Sequence, residues 1–300
     1  NERKQLGANV ARRVLDEIDW DISRTVFGFV PNTAETAFMG LREEIDALLR
    51  RRNGEELWSR IEDGTVTRED VDRLIRTRAR TDKVAHKDQR LRTFITHDGA
   101  RRDLVSHIYD VTRGTVTAED TLVMIDDSIV RGTTLRESII TMLARLNPHR
   151  IIVVSSAPPI MYPDCYGIDM SQLGRFIAFE AAITLLHDRG EQGLLDEIEE
   201  ACRSQADLPP ERMENHVARI YQRFTLNEIE DRIAELIRSE DLDWSGEISV
   251  VYQSVEGLLE AMPAHTGDWY FTGNYPTAGG FRVLNTAFLN WRKSDERRAY

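Results

Sequence analysis

The spacing of hydrophobic positions at the start of the chain is that of a helix. Apolar residues recur at every fourth position: Leu6, Val10, Val14 and Ile18. This spacing predicts an amphipathic helix, because such residues share one face. The apolar run TVFGFVP at 25–31 predicts a short buried strand that ends at its proline. Residues 41–82 are polar and charge-rich, and they predict a helical insertion with stops at Gly54 and Gly64.

Further apolar runs predict a strand–helix–strand unit in the middle of the chain. Three runs have the composition of strands: 91–96, 122–125 and 150–159. Between the last two runs, Ile139, Leu143 and Leu146 form a helical stripe, and Thr134 and Glu137 have capping-box spacing. The unit predicts a parallel sheet with a right-handed crossover, and such sheets bind ligands at the carboxyl ends of their strands.

The second half of the chain changes character twice. Residues 173–239 are almost wholly helical in pattern, whereas residues 246–300 are rich in aromatic side chains and glycine. The stretch SQADLPPE marks the change and predicts two parts, residues 1–205 and an extension at 206–300. We expect the aromatic residues of the extension to pack against the first part or a partner subunit. The predicted fold class is therefore α/β, with a helical and aromatic C-terminal extension.

Composition and charge exclude several functions. The 300 residues are 41% hydrophobic and 30% charged, as in an ordinary globular protein, and carry a formal net charge of -12. This negative charge argues against nucleic-acid binding. The sequence has neither a membrane-spanning apolar run nor a signal peptide, and its two cysteines form no CxxC pair. We therefore predict a cytoplasmic protein with no disulfide framework, nucleic-acid partner or membrane partner.

The stretch VMIDDSIVRGTT at 123–134 carries the strongest chemical signal. It places Asp126 and Asp127 at the end of a strand, just before a small loop with Gly132. Hydroxyl and guanidinium donors fill the loop: Ser128, Arg131, Thr133 and Thr134. Backbone N–H groups before a helix bind anions, so the loop suits a phosphate, and the two carboxylates suit sugar hydroxyls or a hydrated cation. The alternative is that these polar residues only cap the helix; their place in a βαβ unit favours a ribose 5-phosphate site.

These residues resemble a known family. TLVMIDDSIVRGTT is similar to the phosphoribosyl pyrophosphate (PRPP) motif of type I phosphoribosyltransferases. Together with SSAPPIMYPDCYGIDM at 155–170 and RTFI at 92–95, it resembles the amidophosphoribosyltransferases. The resemblance implies a type I phosphoribosyltransferase fold for residues 1–205. It also implies that residues 206–300 are the tail of a long-form bacterial variant.

The resemblance implies a reaction and a role for each loop residue. Ammonia would displace pyrophosphate from C1 of PRPP and form 5-phosphoribosylamine, the first step of de novo purine synthesis. Asp126 and Asp127 would hold the ribose hydroxyls and, through water, a Mg²⁺ ion. The remaining loop would hold the 5-phosphate and consists of Ser128, Ile129, Val130, Arg131, Gly132, Thr133 and Thr134.

Pyrophosphate also needs cations, and the acidic chain has one basic segment. Between Arg73 and Arg92 there are eight lysines and arginines and only two acids. We interpret the first part, up to Arg80, as a solvated helix face. By resemblance, the next part belongs to a loop that closes over pyrophosphate, with four candidate cations: Lys83, Lys87, Arg90 and Arg92. Of these, Lys87 and Arg92 are the candidate catalytic cations.

Two departures from the family pattern affect the pyrophosphate side. Asn32 and Thr33, in VPNTAET, stand where the family usually has Pro-Asp-Ser-Gly, and they are our candidates for binding pyrophosphate there. The segment before RTFI also lacks the usual Lys-Asn-Arg-Tyr.

The resemblance also predicts partners and cofactors. Mg²⁺ is expected, and an iron–sulfur cluster is not, because that cluster needs four cysteines. The family's glutaminase domain uses an N-terminal cysteine nucleophile, whereas this chain starts at Asn1 and has only internal cysteines. We therefore expect that domain to be absent here and the chain to depend on ammonia rather than glutamine. Purine nucleotides are predicted as feedback inhibitors, and a homo-oligomer is predicted.

Two other functions remain open at this point. A phosphoribosyltransferase that salvages a free base would use the same PRPP motif, with a hood over the base. A non-catalytic regulator could bind PRPP through the motif without turnover. The basic segment near the motif favours an enzyme over a regulator.

Overall fold

A computed structural model describes residues 1–87, 109–112, 114–165, 170–265, 267–295 and 299. Five parallel strands form the main sheet: β1 Thr25–Phe29, β2 Arg80–Thr81, β5 Thr121–Asp126, β6 Arg150–Ser155 and β7 Glu247–Tyr252. Their order across the sheet is β2–β1–β5–β6–β7. A separate antiparallel pair joins β3, Ala85–Lys87, to β4, Tyr109–Val111. The predicted strand at 91–96 lies outside the described residues.

Helices cover both faces of the main sheet. They are α1 Glu2–Glu17, α2 Glu35–Glu62, α3 Arg68–Arg76, α4 Ile140–Ala144, α5 Ile177–Asp188, α6 Gly193–Ser204, α7 Ala218–Tyr221, α8 Leu226–Leu236, α9 Val255–Ala261, α10 Trp269–Thr272 and α11 Gly279–Arg292. A π-helical turn, Leu135–Ile139, leads into α4, and 3₁₀ turns span Leu173–Arg175 and Pro210–Arg212. Within the described part of the chain, no helix is both long and apolar enough to cross a membrane.

The central strands are buried on both faces, which explains their uninterrupted apolar sequences. In β5, Val123 and Ile125 belong to the cluster that also contains the buried side chains of α1 and α2. Leu122 and Met124, which alternate with them, belong to the larger cluster formed with the second half of the chain. Successive side chains of a strand point to opposite faces, so one short strand serves both cores.

Helices α1 and α2 cross at very short distance, and two glycines allow this approach. A Cβ atom on Gly7 would lie 1.7 Å from the carbonyl oxygen of Ala37. A Cβ atom on Gly40 would lie 1.8 Å from that of Lys4. Any side chain at either position would push the helices apart. The predicted first helix is confirmed, with Val10 and Val14 fully buried.

Two local predictions about helix ends are wrong. Helix α2 continues through Gly54, because a single glycine costs a helix only about 1 kcal/mol relative to alanine. The stop at Gly64 is confirmed, since this residue follows α2 with φ of +67°. Thr134 makes no cap hydrogen bond, because its own φ of −63° already places it inside the helix.

The main sheet includes residues on both sides of the predicted division after residue 205. Strand β7, Glu247–Tyr252, comes from the stretch 206–300 and pairs in parallel with β6 along its whole length. The change in composition therefore marks a loop region and not the end of the sheet. Sequence analysis missed this strand because only the last three residues of EISVVY are buried, so its apolar run is short.

The aromatic residues of the C-terminal stretch pack against the rest of the chain, as expected. The rings of Phe179 and Trp291 meet edge to face with centroids 4.8 Å apart. The Tyr275 hydroxyl donates a hydrogen bond of 2.7 Å to the carbonyl of Pro163. These rings therefore belong to the core of the chain.

Candidate functional site

The candidate site lies at the carboxyl edge of the main sheet. Because all five strands are parallel, the segments that follow them emerge at this same edge. Asp126 ends β5, Asn32 and Thr33 follow β1, and Lys83 follows β2. Strands β1 and β5 are direct neighbours, with Phe29 paired to Ile125. The topology therefore brings the two predicted binding segments, 32–33 and 126–134, to adjacent strand ends.

The two carboxylates of the loop are held by the loop's own backbone. The Asp127 N–H donates to a carboxylate oxygen of Asp126 at 2.9 Å. The Ser128 N–H donates to a carboxylate oxygen of Asp127 at 2.8 Å. Asp126 is half-buried and Asp127 is exposed. These bonds fix the turn, which carries two acceptor groups in succession.

Ser156, the residue that follows the neighbouring strand β6, stabilises the same turn. The Ser156 N–H donates to the Asp126 carbonyl at 3.0 Å, and the Ser156 hydroxyl donates to the Asp127 carbonyl at 3.2 Å. Ser156 is buried, so its hydroxyl serves the loop and not solvent. The sequence contained this residue in SSAPP, but nothing local indicated its bonds to the loop.

Gly132 allows the loop to lie on α5. Its φ is +69°, a conformation that residues with a side chain rarely adopt. A Cβ atom at this position would lie 2.1 Å from Cδ1 of Ile177, the first residue of α5. The Ile177 N–H also donates to the Val130 carbonyl at 2.9 Å. Ile177, 45 residues further along the chain, thus supports the loop, and sequence reasoning missed it.

Tyr252 supports the loop from the end of β7. Its buried hydroxyl donates to the Ile129 carbonyl at 3.4 Å, a long bond. Its N–H donates to Glu230 at 2.6 Å, and its carbonyl accepts a bond from Arg13. Burial raises the pKa of the Tyr252 hydroxyl, and the nearby Glu230 raises it further. The hydroxyl therefore stays protonated and keeps its role as a donor.

The buried Glu230 and the half-buried Arg13 form an ion pair at 2.8 Å, next to Tyr252. Burial raises the pKa of Glu230, although the hydrogen bonds from Arg13 and from the Tyr252 N–H act in the opposite direction. The pair connects α1, α8 and β7. It thereby fixes the strand end on which the loop rests.

The rest of the loop has mixed exposure. Arg131, Thr133 and Thr134 are exposed, Ser128 is half-buried, and Ile129 is buried. The Arg136 N–H donates to the Gly132 carbonyl at 2.9 Å as the chain enters its helix. The hydroxyl and guanidinium donors are thus on the accessible side, and the apolar residue anchors the loop.

The pyrophosphate-side candidates are only partly described. Asn32 and Thr33 are exposed between β1 and α2, and the Pro31–Asn32 peptide bond is cis. Lys83 is exposed, and its carbonyl accepts a bond of 3.0 Å from the Thr112 hydroxyl. The backbone of Lys87 ends β3. The side chain of Lys87, and all of Arg90 and Arg92, lie outside the described residues.

The first part of the basic segment makes ion pairs within the chain. Arg73 lies 3.1 Å from Glu56 on the exposed surface of α2 and α3. Arg80 lies 2.6 Å from Asp120. Burial raises the pKa of Asp120, but hydrogen bonds from Arg80 and Thr117 lower it by more, so its pKa is lowered overall. Arg73 lies on the exposed surface of α3, as the interpretation of a solvated helix face predicted, whereas Arg80 lies in β2 and pairs with a buried carboxylate, so that interpretation is wrong for Arg80.

The donors at the site fit a hydrated Mg²⁺ ion. Asp126 and Asp127 offer oxygen atoms at the sheet edge. In the described ranges no group of three or more His, Cys, Asp or Glu side chains could hold a metal. Mg²⁺ typically binds one or two carboxylates and takes its other ligands from substrate phosphates and water. Asp126 and Asp127 match the one or two carboxylates that a protein contributes to such a site.

Neither of the two cysteines belongs to the loop. Cys202 is buried on α6, with its sulfur 3.4 Å from Asn285 Oδ1. Burial raises the pKa of the Cys202 thiol to about 12, and Glu199 adds to the effect. Cys165 is half-buried in the segment that Tyr275 contacts.

Comparison with known proteins supports the resemblance. The chain is 44% identical over 88 residues to amidophosphoribosyltransferase of Bacillus subtilis, covering 29% of this chain and 18% of that protein. It is 27% identical over 162 residues to amidophosphoribosyltransferase of Staphylococcus epidermidis, covering 52% and 22%. A solved structure of the allosteric regulatory enzyme of purine biosynthesis aligns with 92% of this chain and 41% of its own, at 23% identity and a TM-score of 0.50. The chain has a type I phosphoribosyltransferase fold.

The sequence matches cover only part of each protein. The chain matches only about a fifth of the length of these curated relatives. No protein-family model matches it. A B. subtilis glutamine PRPP amidotransferase, solved with ADP and GMP, aligns at 24% identity with a TM-score of 0.45 over 92% of this chain and 42% of its own. The two curated relatives and the structure with a TM-score of 0.50 confirm the predicted resemblance and fold.

Proposed function

We propose that this chain binds PRPP at the carboxyl edge of its sheet and transfers the phosphoribosyl group to ammonia. The product is 5-phosphoribosylamine, as in the first step of purine synthesis. The observation that carries the proposal is the loop 126–134. It combines two adjacent carboxylates, exposed donors and a glycine that seats it on α5.

Each part of the loop has a task in this reaction. Asp126 and Asp127 would accept hydrogen bonds from the two ribose hydroxyls and would be the residues that hold a hydrated Mg²⁺ ion. The backbone and side chains from Ser128 to Thr134 bind the 5-phosphate next to the helix that follows. When bound, Mg²⁺ supplies positive charge to the departing pyrophosphate.

The chemistry is a substitution at C1 of the ribose. The bond from C1 to the pyrophosphate oxygen breaks, and that oxygen keeps the electron pair. The ammonia lone pair forms the new C–N bond, and the nitrogen then loses one proton. Because charge develops on the leaving group, cations near pyrophosphate matter more than activation of the nucleophile. Lys83, Lys87, Arg90 and Arg92, with Asn32 and Thr33, are proposed for this side.

Ammonia is the proposed direct donor of nitrogen. Cleavage of glutamine would need a reactive cysteine, and Cys202 is buried with a raised pKa. Purine nucleotide inhibition, a homo-oligomeric state and a cytoplasmic location also stay predictions.

The test is pyrophosphate release from PRPP and Mg²⁺. Ammonium chloride, glutamine and a panel of purine and pyrimidine bases serve as alternative acceptors. We expect release with ammonium and none with glutamine. Release only with a base would replace the proposal by base salvage, and PRPP binding without any release would indicate a regulator.

Variants of the loop connect the activity to the site. Asp126→Asn and Asp127→Asn should each reduce ammonium-dependent turnover by about a hundredfold or more, because each removes charge from the group that holds ribose and metal. Asp63→Asn, an exposed carboxylate beyond the end of α2, is the matched control and should leave turnover unchanged. Equal activity in all three variants would contradict the assignment of the site.

A further inference from the structure

Residues 50–76 form an outer hairpin that has few contacts with the body of the protein. It consists of the second half of α2 and all of α3. The last buried residue of α2 is Leu49, just before the hairpin begins. In α3 the only buried residue is Leu74. The remaining side chains of the hairpin are exposed or half-buried.

One side of α2 is occupied by α3. The Asn53 side chain donates to the Leu74 carbonyl at 2.9 Å. Arg60 lies 3.0 Å from Glu56 and 3.2 Å from Asp70. These contacts hold the two helices together and satisfy the polar groups on this side. They involve residues 53, 56 and 60, which share one face of α2.

A different face of α2 presents apolar residues to solvent. The described part of the chain has five exposed large hydrophobic side chains, and three of them are on the outer hairpin. Trp58, 67% exposed, and Ile61, 45% exposed, are on α2, and Ile75, 66% exposed, is on α3. Tryptophan is highly buried on average, so this exposure is unusual. Trp58 and Ile61 are three residues apart and therefore neighbours on the helix surface.

Gly54 lies one turn before Trp58 on the same face. Apart from its chain neighbours and the adjacent backbone of α2, no atom lies within 4 Å of the position where its Cβ would be. Glycine is less favourable than alanine inside a helix, and no close contact in the described chain requires glycine here. A small residue one turn from an exposed tryptophan leaves a depression that an aromatic ring could fill.

Two opposite charges border this face at its two ends. Arg51 and Glu62 are eleven residues apart, close to three helical turns, so they lie on the same edge of the face. Among the described residues, neither side chain has an ion-pair partner. The order of charges along α2 is therefore positive before Trp58 and negative after it.

We propose that the outer hairpin binds the same surface of a second copy of this chain. The two α2 helices run antiparallel around a two-fold axis, so that Trp58 of each copy packs on Gly54 of the other. This register also places Arg51 of each copy opposite Glu62 of the other. The face is self-complementary in shape and in charge, as a two-fold interface requires. The proposal does not rest on the proposed reaction.

The contact is small. The helix from residue 50 to residue 62 is about 20 Å long. An interface of this length buries less surface than the roughly 800 Å² per partner of a standard stable complex. Association is therefore expected in the micromolar to millimolar range of protein concentration.

Sedimentation velocity of the full chain across that concentration range tests the proposal. The wild type should exceed its monomer mass of 34.5 kDa as concentration rises. Trp58→Ala should weaken association by about a hundredfold, because buried aromatic anchors carry most of the energy of an interface. Leu259→Ala, which changes an exposed apolar residue on α9, is the matched control and should have no effect.

Charge reversal distinguishes this pairing from other modes of association. Arg51→Glu and Glu62→Arg should each weaken association by about tenfold, because each creates two like-charge contacts per dimer. The variant with both changes should associate as the wild type does. A wild type that stays at monomer mass throughout, a Trp58→Ala variant that associates normally, or a double reversal that fails to recover would each overturn the proposal. Circular dichroism of the variants checks that they are folded.

Discussion

Replacement of Gly132 by alanine tests how the phosphate-type loop is seated. Two features of the structure oppose a side chain at this position. A φ of +69° costs a residue with a Cβ about 1 to 2 kcal/mol. A Cβ 2.1 Å from Cδ1 of Ile177 also forces this buried side chain or the loop to move, at about 1 to 3 kcal/mol. Alanine regains about 0.5 kcal/mol by restricting the unfolded chain.

The expected result is a loss of about 2 to 4 kcal/mol in the free energy of unfolding, measured by urea denaturation. Gly190→Ala is the matched control. Gly190 also has φ of +69°, but nothing lies within 4 Å of its Cβ position. It therefore reports the backbone cost alone, and Gly132→Ala should be the more destabilising change by about 1 to 3 kcal/mol.

A second variant separates the contact from the backbone. Ile177→Val removes Cδ1, and the next atom, Cγ1, lies at 3.2 Å from the Cβ position of residue 132. Gly132→Ala combined with Ile177→Val should be more stable than the sum of the single changes by about 1 kcal/mol or more. Equal effects of Gly132→Ala and Gly190→Ala, or strict additivity with Ile177→Val, would show that the close approach is not what requires glycine.

Three further predictions concern the groups around the site. The pKa of Asp120 is lowered, so its bonds to Arg80 stabilise the fold at pH values above its ordinary pKa of 3.8, and this stabilisation is lost as the pH falls below that value. In urea titrations, the stability difference between the wild type and Asp120→Asn should therefore shrink from pH 7 to pH 3. Glu230→Ala should lower the free energy of unfolding by about 2 to 3 kcal/mol, because Arg13 and the Tyr252 N–H lose their acceptor; an unchanged urea midpoint would contradict this. Tyr252→Phe should lower the free energy of unfolding by less than about 1 kcal/mol, because the hydrogen bond of its hydroxyl is long. The same change should raise the KM for PRPP, because the hydroxyl positions the loop.

The sequence was sufficient to predict the strands at the centre of the sheet and the loop that leaves them. Strands β1, β5 and β6 are buried on both faces, so their sequences are nearly continuous apolar runs that periodicity identifies readily. The loop 126–134 was predictable because its chemistry is local. Strand β7 was not, because it begins at the exposed Glu247 and only its last three residues are buried.

The supports of the loop could not be predicted. Ile177 and Tyr252 contact the loop only because α5 and β7 pack there, and neither residue carries a motif. The wrong helix ends have a similar origin. Tertiary packing of the first half of α2 stabilises a helix that continues through Gly54. The spacing of Thr134 and Glu137 predicted that Thr134 caps the next helix, but the chain enters that helix at Gly132, so Thr134 already lies inside it.

The position of β7 in the sheet also has a consequence for the order of events during synthesis. Strand β6 pairs with β5 on one side, but its other partner, Glu247–Tyr252, comes about a hundred residues later in the chain. At ribosomal rates, roughly 5 to 20 s separate the emergence of the two strands. During that time the apolar strand Arg150–Ser155 presents an unpaired edge, which is the kind of surface that aggregates or recruits a chaperone. A nascent chain released before residue 247 would keep that edge open for the rest of its lifetime.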